Sequence, residues 1–153
     1  MTRDPHRLVG RLQQVAHSVR RTSDRMLAQS AGLTTAQAAV GAVIHADPGC
    51  SQREVARRLG LGEPALVAAV GRLVDAGLVE RRTSTEDPRA AALFLTPRGD
   101  DAITRAQATY AVLNRAIVDA LGEDGRARLA ELLDDLDAAV TRAGEEQLGT
   151  AVE

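Results

Sequence analysis

Three polar residues at one predicted helix start have the chemistry to bind a phosphate group. They are Ser51, Gln52 and Arg53, and Ser51 forms a capping box with Glu54. The first backbone N–H groups of a helix have no partner within the helix, so they favour an anion. The planar guanidinium of an arginine adds paired donors that suit phosphate. The pattern predicts a contact that positions a phosphate-bearing partner without specifying it.

No group of residues has the spacing of a catalytic or metal site. Asp134, Asp135 and Asp137 form a carboxylate run without an accompanying base, which is typical of a solvated helix face. The three histidines are scattered, and no second cysteine joins them. Nucleophile elbows and phosphate loops are also lacking. We therefore predict that the protein is not an enzyme and has no metal or cofactor.

The single cysteine, Cys50, leaves two interpretations open. It lies in the turn before a helix N-terminus, where a thiol pKa can fall, so a redox switch is one of them. An unreactive thiol is the other. One cysteine cannot form an intramolecular disulfide, and this is consistent with a reducing cytosol. No apolar segment resembles a signal peptide or a membrane span, so we expect a cytoplasmic protein without a membrane partner.

Composition favours a helical domain with an uneven charge. With one Tyr, one Phe and no Trp, the core of this 153-residue chain must consist of Leu, Val, Ile and Ala. The net charge of -2 is unevenly distributed, since the N-terminal residues 1–33 carry six Arg and two acidic residues. Residues 101–153 carry five Arg and eleven acids. All nineteen basic residues are Arg, which suits phosphate but is also explained by coding bias.

Turn and cap residues divide the middle of the chain into three helices and a hairpin. Two short helices follow the capping boxes that begin at Thr34 and Ser51. A third begins at Gly62 and Pro64 and ends at Gly77. After it, "LVERR" and "AALFLT" predict two strands joined by the polar loop "TSTEDPRA".

Long amphipathic helices are predicted on both sides of this middle segment, at 5–31 and 97–145. Gly122 interrupts the second of them. Their apolar stripes exceed what a small middle segment can cover, so a second copy of the chain is the expected partner. A monomeric helical bundle is the alternative. The stripes contain Leu8, Leu12, Val15, Val19, Thr22 and Met26, then Ile103, Ala106, Tyr110, Leu113, Ile117 and Leu121, then Leu129, Leu132, Leu133, Leu136 and Val140.

The order of helix, short helix, helix and hairpin is that of a winged helix-turn-helix. Residues 33–99 resemble the multiple-antibiotic-resistance regulator (MarR) family, most specifically in "SQREVARRLGL", "RLVDAGLVERR", "DPR" and "LTPRG". With the terminal helices, the resemblance covers nearly all of a single domain, 1–153. It implies a mostly α fold with about six helices, a two-stranded wing and terminal dimerisation helices. It also implies a homodimeric, ligand-responsive repressor that binds a near-palindromic operator in double-stranded DNA.

The resemblance assigns roles to the wing residues. Arg89 lies just past the wing tip, where the family pattern has an arginine that enters a minor groove. Asp87 is expected to orient this loop. Arg81 and Arg82 project to opposite faces of one strand, so at most one of them is expected to reach the DNA backbone.

The resemblance makes the helix that begins at Gly62 the one that contacts bases, and this reading helix departs from the family pattern. Its DNA-facing side is expected to include Ala65, Ala68 and Arg72, whereas family members usually carry hydroxyl and Arg side chains at Ala65, Val67 and Ala68. Alanine and valine cannot make bidentate hydrogen bonds to bases. We therefore expect modest specificity, carried mainly by Arg72 and Arg89. An alternative function is a protein-interaction module that uses the small-residue face at 64–75.

Four polar residues lie on the two helices that would line the family's effector cleft. His17, Arg21, Asp24 and His45 are candidate contacts for an anionic small-molecule effector. Ordinary surface residues are the alternative interpretation.

Overall fold

The computed structural model describes residues 6–83 and 91–149. These residues form five helices and one antiparallel hairpin, in agreement with the predicted mostly α class. In chain order the elements are α1 (His6–Ala31), α2 (Thr35–Ala46), α3 (Gln52–Leu59), α4 (Glu63–Asp75), β1 (Val79–Thr83), β2 (Ala91–Leu95) and α5 (Pro97–Gly149).

Local sequence signals fix most of the helix ends. Both predicted capping boxes are present: the hydroxyl of Thr34 accepts from the Gln37 N–H at 3.3 Å, and that of Ser51 accepts from the Glu54 N–H at 3.3 Å. Each box satisfies two backbone donors that would otherwise lack a partner. The reading helix is α4, which begins after Gly62 and has proline in its first turn.

The hairpin has a second neighbour that sequence patterns did not indicate. Val79 pairs with Leu95, and the register continues to Thr83 opposite Ala91. On its other edge, Leu93 accepts from the Gly49 N–H at 2.8 Å and donates to the Cys50 carbonyl at 3.0 Å. These bonds attach the wing strands to the turn before α3, so the wing and the start of α3 are positioned together.

The chain divides into two units, residues 1–111 and 112–153. The predicted winged lobe at 33–99 lies within the first unit, and its core is aliphatic as the composition requires. The largest fully buried side chains are Leu27, Val40, Ile44, Val55, Leu66, Val70, Leu73, Leu93 and Ile103, together with Leu33.

The terminal helices keep much of their apolar surface exposed. In α1 the side chain of Leu8 is 59% exposed, and in α5 that of Val140 is 64% exposed. The end of α1 buries Ser23 and Leu27, and the predicted stripe residue Thr22 is exposed, because the helix packs on the core one position away from that stripe. Gly122, with φ 72° and ψ 170°, breaks α5 where an interruption was predicted. No helix among the described residues is long and apolar enough to cross a membrane.

Substitution of alanine for either of two glycines is expected to change stability in opposite directions. A Cβ at Gly99 would lie 1.9 Å from the Leu78 carbonyl oxygen, whereas a Cβ at Gly71, inside α4, would meet nothing within 4 Å. We expect Gly99→Ala to lower the free energy of unfolding by about 1–3 kcal/mol through overpacking. Gly71→Ala should raise it by about 0.5–1 kcal/mol, since alanine loses less entropy in a helix. Urea unfolding at one protein concentration tests both, and equal stability of the two variants would contradict this packing.

Candidate nucleic-acid interface

The start of α3 presents a free helix end, but only part of its predicted side-chain set. The Ser51 hydroxyl accepts the Glu54 N–H, so it caps the helix. Gln52 is half-buried, and its buried Nε2 has no hydrogen-bond partner among the described residues. Arg53 is exposed. Of the three predicted phosphate contacts, Arg53 is therefore the exposed side chain.

Another arginine of α3 is paired with acidic residues of the same lobe. Arg58 forms an ion pair with Asp47 in the preceding turn and a second with Glu54 at 3.6 Å. Its hydrogen bond to Asp47 raises the pKa of the Arg58 guanidinium above its usual value. Asp47 belongs to the "DPG" turn that precedes α3, so this pair holds α3 against that turn. Arg57 stays exposed beside it and adds positive charge that the sequence analysis did not assign.

The outward face of α4 is apolar. Leu66, Ala69, Val70 and Leu73 point into the core, as the 3.6-residue period predicted. Pro64, Ala65, Ala68 and Arg72 are exposed, and the side chain of Val67 is 47% exposed. The predicted face of the reading helix is thus available for contact. Along it, Arg72 is the exposed side chain with several hydrogen-bond donors.

The two strand arginines differ in how they are held. Arg82 lies over the Phe94 ring, 4.4 Å from its centroid, and pairs with Glu80 on the same face. This packing fixes its guanidinium on the hairpin. Arg81 projects to the other face of the strand and is exposed. Asp87 and Arg89, the predicted wing-tip residues, lie outside the described residues.

The four candidate effector residues do not form one group. Asp24 caps α2, because its Oδ1 accepts from the backbone N–H of Thr35 at 2.7 Å and from its hydroxyl at 2.6 Å. These bonds lower the pKa of Asp24. His45 instead pairs with Asp100, Nδ1 to Oδ1, at 2.8 Å. His17 and Arg21 are exposed on α1.

A polar junction near Asp24 was not predicted. The Ser30 and Thr109 hydroxyl oxygens lie 2.7 Å apart, and Arg105 Nε donates to the Ser30 carbonyl at 3.0 Å. Burial raises the pKa of Tyr110, whose hydroxyl bonds to Thr35. The junction joins the end of α1 to the first half of α5. Apolar periodicity gives no signal for it, since its members are polar and 79 residues apart.

The structure contradicts the environment expected for a reactive Cys50. The thiol is buried at 3% exposure, and desolvation raises its pKa, with the nearby Asp47 carboxylate acting in the same direction. Burial outweighs any effect of the following helix start. Cys50 is a core residue that packs beneath the wing attachment, and the redox interpretation is not supported.

The sequence and the fold of this chain are similar to those of known transcription regulators. The sequence profile of the MarR family matches residues 31–90. The transcriptional regulator BilQ of Clostridium symbiosum is 33% identical over 89 residues, which cover 58% of this chain and 62% of BilQ. The PcaV transcriptional regulator of Streptomyces coelicolor, solved with its natural ligand, is 28% identical with a TM-score of 0.75. That match covers 92% of this chain and 99% of PcaV. Residues 31–90 thus match the MarR family, and the fold is similar to that of PcaV along nearly the whole chain.

A DNA-bound MarR structure is also similar along nearly the whole chain. The transcriptional repressor CouR, bound to a 23-mer DNA duplex, is 27% identical with a TM-score of 0.70. The match covers 90% of this chain and 99% of that one. The matched MarR proteins are transcription regulators and not enzymes, which agrees with the lack of a catalytic motif. The winged helix-turn-helix predicted from the residue pattern is confirmed by these folds.

Proposed function

We propose that this chain is a homodimeric repressor that binds a near-palindromic operator in double-stranded DNA and is released by a small-molecule effector. The observation that carries the proposal is the similarity to DNA-bound CouR over 90% of the chain. Exposed arginines on α3 and α4 of the same lobe, Arg53 and Arg72, support it, since guanidinium donors suit phosphates and base edges. DNA binding requires the compartment that holds the chromosome, so the predicted cytoplasmic location is part of this proposal.

The proposed contacts divide into positioning and reading. The first N–H groups of α3 and Arg53 contact phosphates and fix the orientation of the lobe. Arg81 adds a backbone contact, because Arg82 is held by Phe94 and Glu80. Arg89 enters the minor groove and responds to its width. The bases are approached by Ala65, Ala68 and Arg72 of α4.

Each unit exposes apolar side chains that fit a second copy of the chain. In the first unit these lie on α1, and in the second unit on the part of α5 after Val112. Isologous packing of such faces gives a two-fold dimer, whose symmetry the operator would mirror. The exposed large apolar residues of these helices are Leu8, Val9, Val15, Val19, Val112, Ile117, Leu121, Leu129, Leu132, Leu133 and Val140.

An effector site is proposed near the junction of α1, α2 and α5. The similar protein PcaV was solved with its natural ligand, so a fold of this kind can accommodate a ligand. Asp24 is proposed to act there through its cap on Thr35, while His17 and Arg21 remain candidate contacts for an anion. His45 belongs to a different neighbourhood because it pairs with Asp100.

Titration of the purified protein with the DNA upstream of its own gene tests the proposed function. A substitution of the wing residue Arg89 tests one of the proposed contacts. Arg89→Ala should weaken binding to every duplex and reduce the salt slope by about one phosphate equivalent. Arg142→Ala, an exposed arginine of the second unit, is the charge-matched control and should leave both quantities unchanged. Fluorescence anisotropy at several salt concentrations measures them. Identical slopes for Arg89→Ala and wild type would place the DNA-contacting surface elsewhere.

A second candidate is a protein-interaction module that retains the winged scaffold. The 47% exposure of Val67, between Ala65 and Ala68, favours it because this face offers close apolar contact and few donors. DNA binding that is absent even at low salt would favour this candidate over the repressor.

A further inference from the structure

A recess separate from the proposed DNA and effector surfaces lies where α2, β2 and α5 meet. Its volume is about 360 Å³, which lies within the range of small-molecule pockets. Most of the wall is apolar, and the Phe94 ring forms part of it. That ring is already held in place, by Arg82 over its face and by Gly49 close to its edge. The lining residues are Ile44, His45, Pro48, Phe94, Leu95, Thr96, Pro97 and Asp100.

Two side chains supply the polar chemistry of the recess. His45 Nδ1 and Asp100 Oδ1 lie 2.8 Å apart. An ionised carboxylate only accepts, so the proton between them is on Nδ1. The other ring nitrogen, Nε2, is then an acceptor when the ring is neutral, and Asp100 keeps its second oxygen as another acceptor. With histidine counted as neutral, Asp100 is the single charged side chain of the lining.

Several hydrogen-bond donors of the lining are already used. The Thr96 hydroxyl donates to the Gly77 carbonyl at 2.8 Å. The backbone N–H groups of Thr96 and Asp100 also donate to carbonyls of the chain, at 3.0 Å and 2.9 Å. Pro48 and Pro97 have no backbone N–H to offer. The recess therefore presents acceptors and a negative charge beside an aromatic wall.

We propose that this recess binds a small aromatic amine in its protonated form. The ammonium group donates to the free Asp100 oxygen, and the aromatic body packs against Phe94 and the two prolines. An ammonium has three donors and a positive charge, so it complements the Asp100 carboxylate. A carboxylate or phosphate would be repelled by the like charge of Asp100 and is disfavoured. The site does not depend on the proposed DNA binding, and its occupancy is measured without DNA.

Calorimetric titration of the full chain with 2-phenylethylamine tests the proposal, with 3-phenylpropanoate as an anion of similar shape. At about pH 8 the amine is protonated, and we expect saturable binding of the amine and none of the anion. The chain contains one Phe, so selective labelling of phenylalanine makes Phe94 a unique reporter. Nuclear Overhauser contacts between the ligand and the Phe94 ring are expected in the wild-type protein.

Neighbouring aspartates provide matched variants. Asp100→Asn removes the charge in the recess, and Asp101→Asn removes the same charge from an exposed residue outside the lining. Asp100→Asn should weaken amine binding by about tenfold or more, as for loss of a charge-assisted hydrogen bond. Asp101→Asn should change it by less than about twofold, because an exposed charge is screened. Equal losses in both variants, equal binding of amine and anion, or no contact with Phe94 would each overturn the proposal. The wild-type spectra decide the location even if Asp100→Asn proves unstable.

Discussion

Light scattering on the full chain is expected to give twice the 16.2 kDa mass of one chain throughout the micromolar range. Among the described residues, eleven large apolar side chains on α1 and α5 are exposed, which is far more than scattered surface residues require. Burial of each such side chain stabilises an assembly by about 1.5–3 kcal/mol relative to its exposure. Association of two copies is the route that symmetry allows for covering them.

Charged substitutions on the second unit should dissociate this dimer. Leu129 and Leu133 lie four residues apart on one face of α5, so Leu129→Glu with Leu133→Glu places two carboxylates in the proposed interface. An unpaired buried charge costs several kcal/mol, and we expect the dissociation constant to rise at least about a hundredfold. Ala138→Glu, on the opposite face of the same helix, is the control and should stay dimeric. A one-chain mass for the wild type would contradict the dimer and the two-half-site operator together.

The ratio of specific to non-specific DNA affinity is expected to be low, about 10³ to 10⁴ at physiological salt. Ala65 and Ala68 are exposed on α4 and have no side-chain donor or acceptor. They can contact a thymine methyl but not form the bidentate hydrogen bonds that contribute about 1–3 kcal/mol of discrimination each. Backbone contacts, wing insertion and DNA shape would then supply most of the selectivity.

An added arginine on this face separates affinity from specificity. Ala68→Arg should strengthen binding to many duplexes through added charge, more than it sharpens the choice among them. Ala76→Arg adds the same charge at the C-terminal end of α4 and should have a much smaller effect. Titration of a selected operator and scrambled DNA at two salt concentrations measures both. A wild-type ratio above about 10⁶ would contradict reading by shape.

Residues within one or two turns of each other account for what could be predicted. The capping boxes at Thr34 and Ser51, the start of α4 at Gly62 and the break at Gly122 were all located from sequence, and the structure has them there. A cap or a left-handed glycine acts on backbone groups a few residues away, so its effect is fixed by local sequence. The inward face of α4 followed for the same reason, since its period is set by helix geometry.

Candidate ligand contacts were predicted less well because their environments are made by distant partners. Asp24 is bonded to Thr35, 11 residues away, and His45 to Asp100, 55 residues away. Neither pair has a sequence pattern, so both residues looked free. Cys50 was placed correctly before a helix, but its burial by the wing attachment reversed the expected direction of its pKa shift.

The sequence by itself determined the helices, the hairpin, the aliphatic core and the resemblance to MarR regulators, because these follow from periodicity, caps, turns and motif order. The tertiary structure decided which polar groups remain available. Contacts within the folded chain occupy the side chains of Ser51, Asp24, Arg58 and Arg82. Folding also brings His45 and Asp100 together in the recess between α2, β2 and α5. The physical reason is that a hydrogen bond or an ion pair depends on distance in space, and helix docking brings together side chains that sequence separation keeps apart.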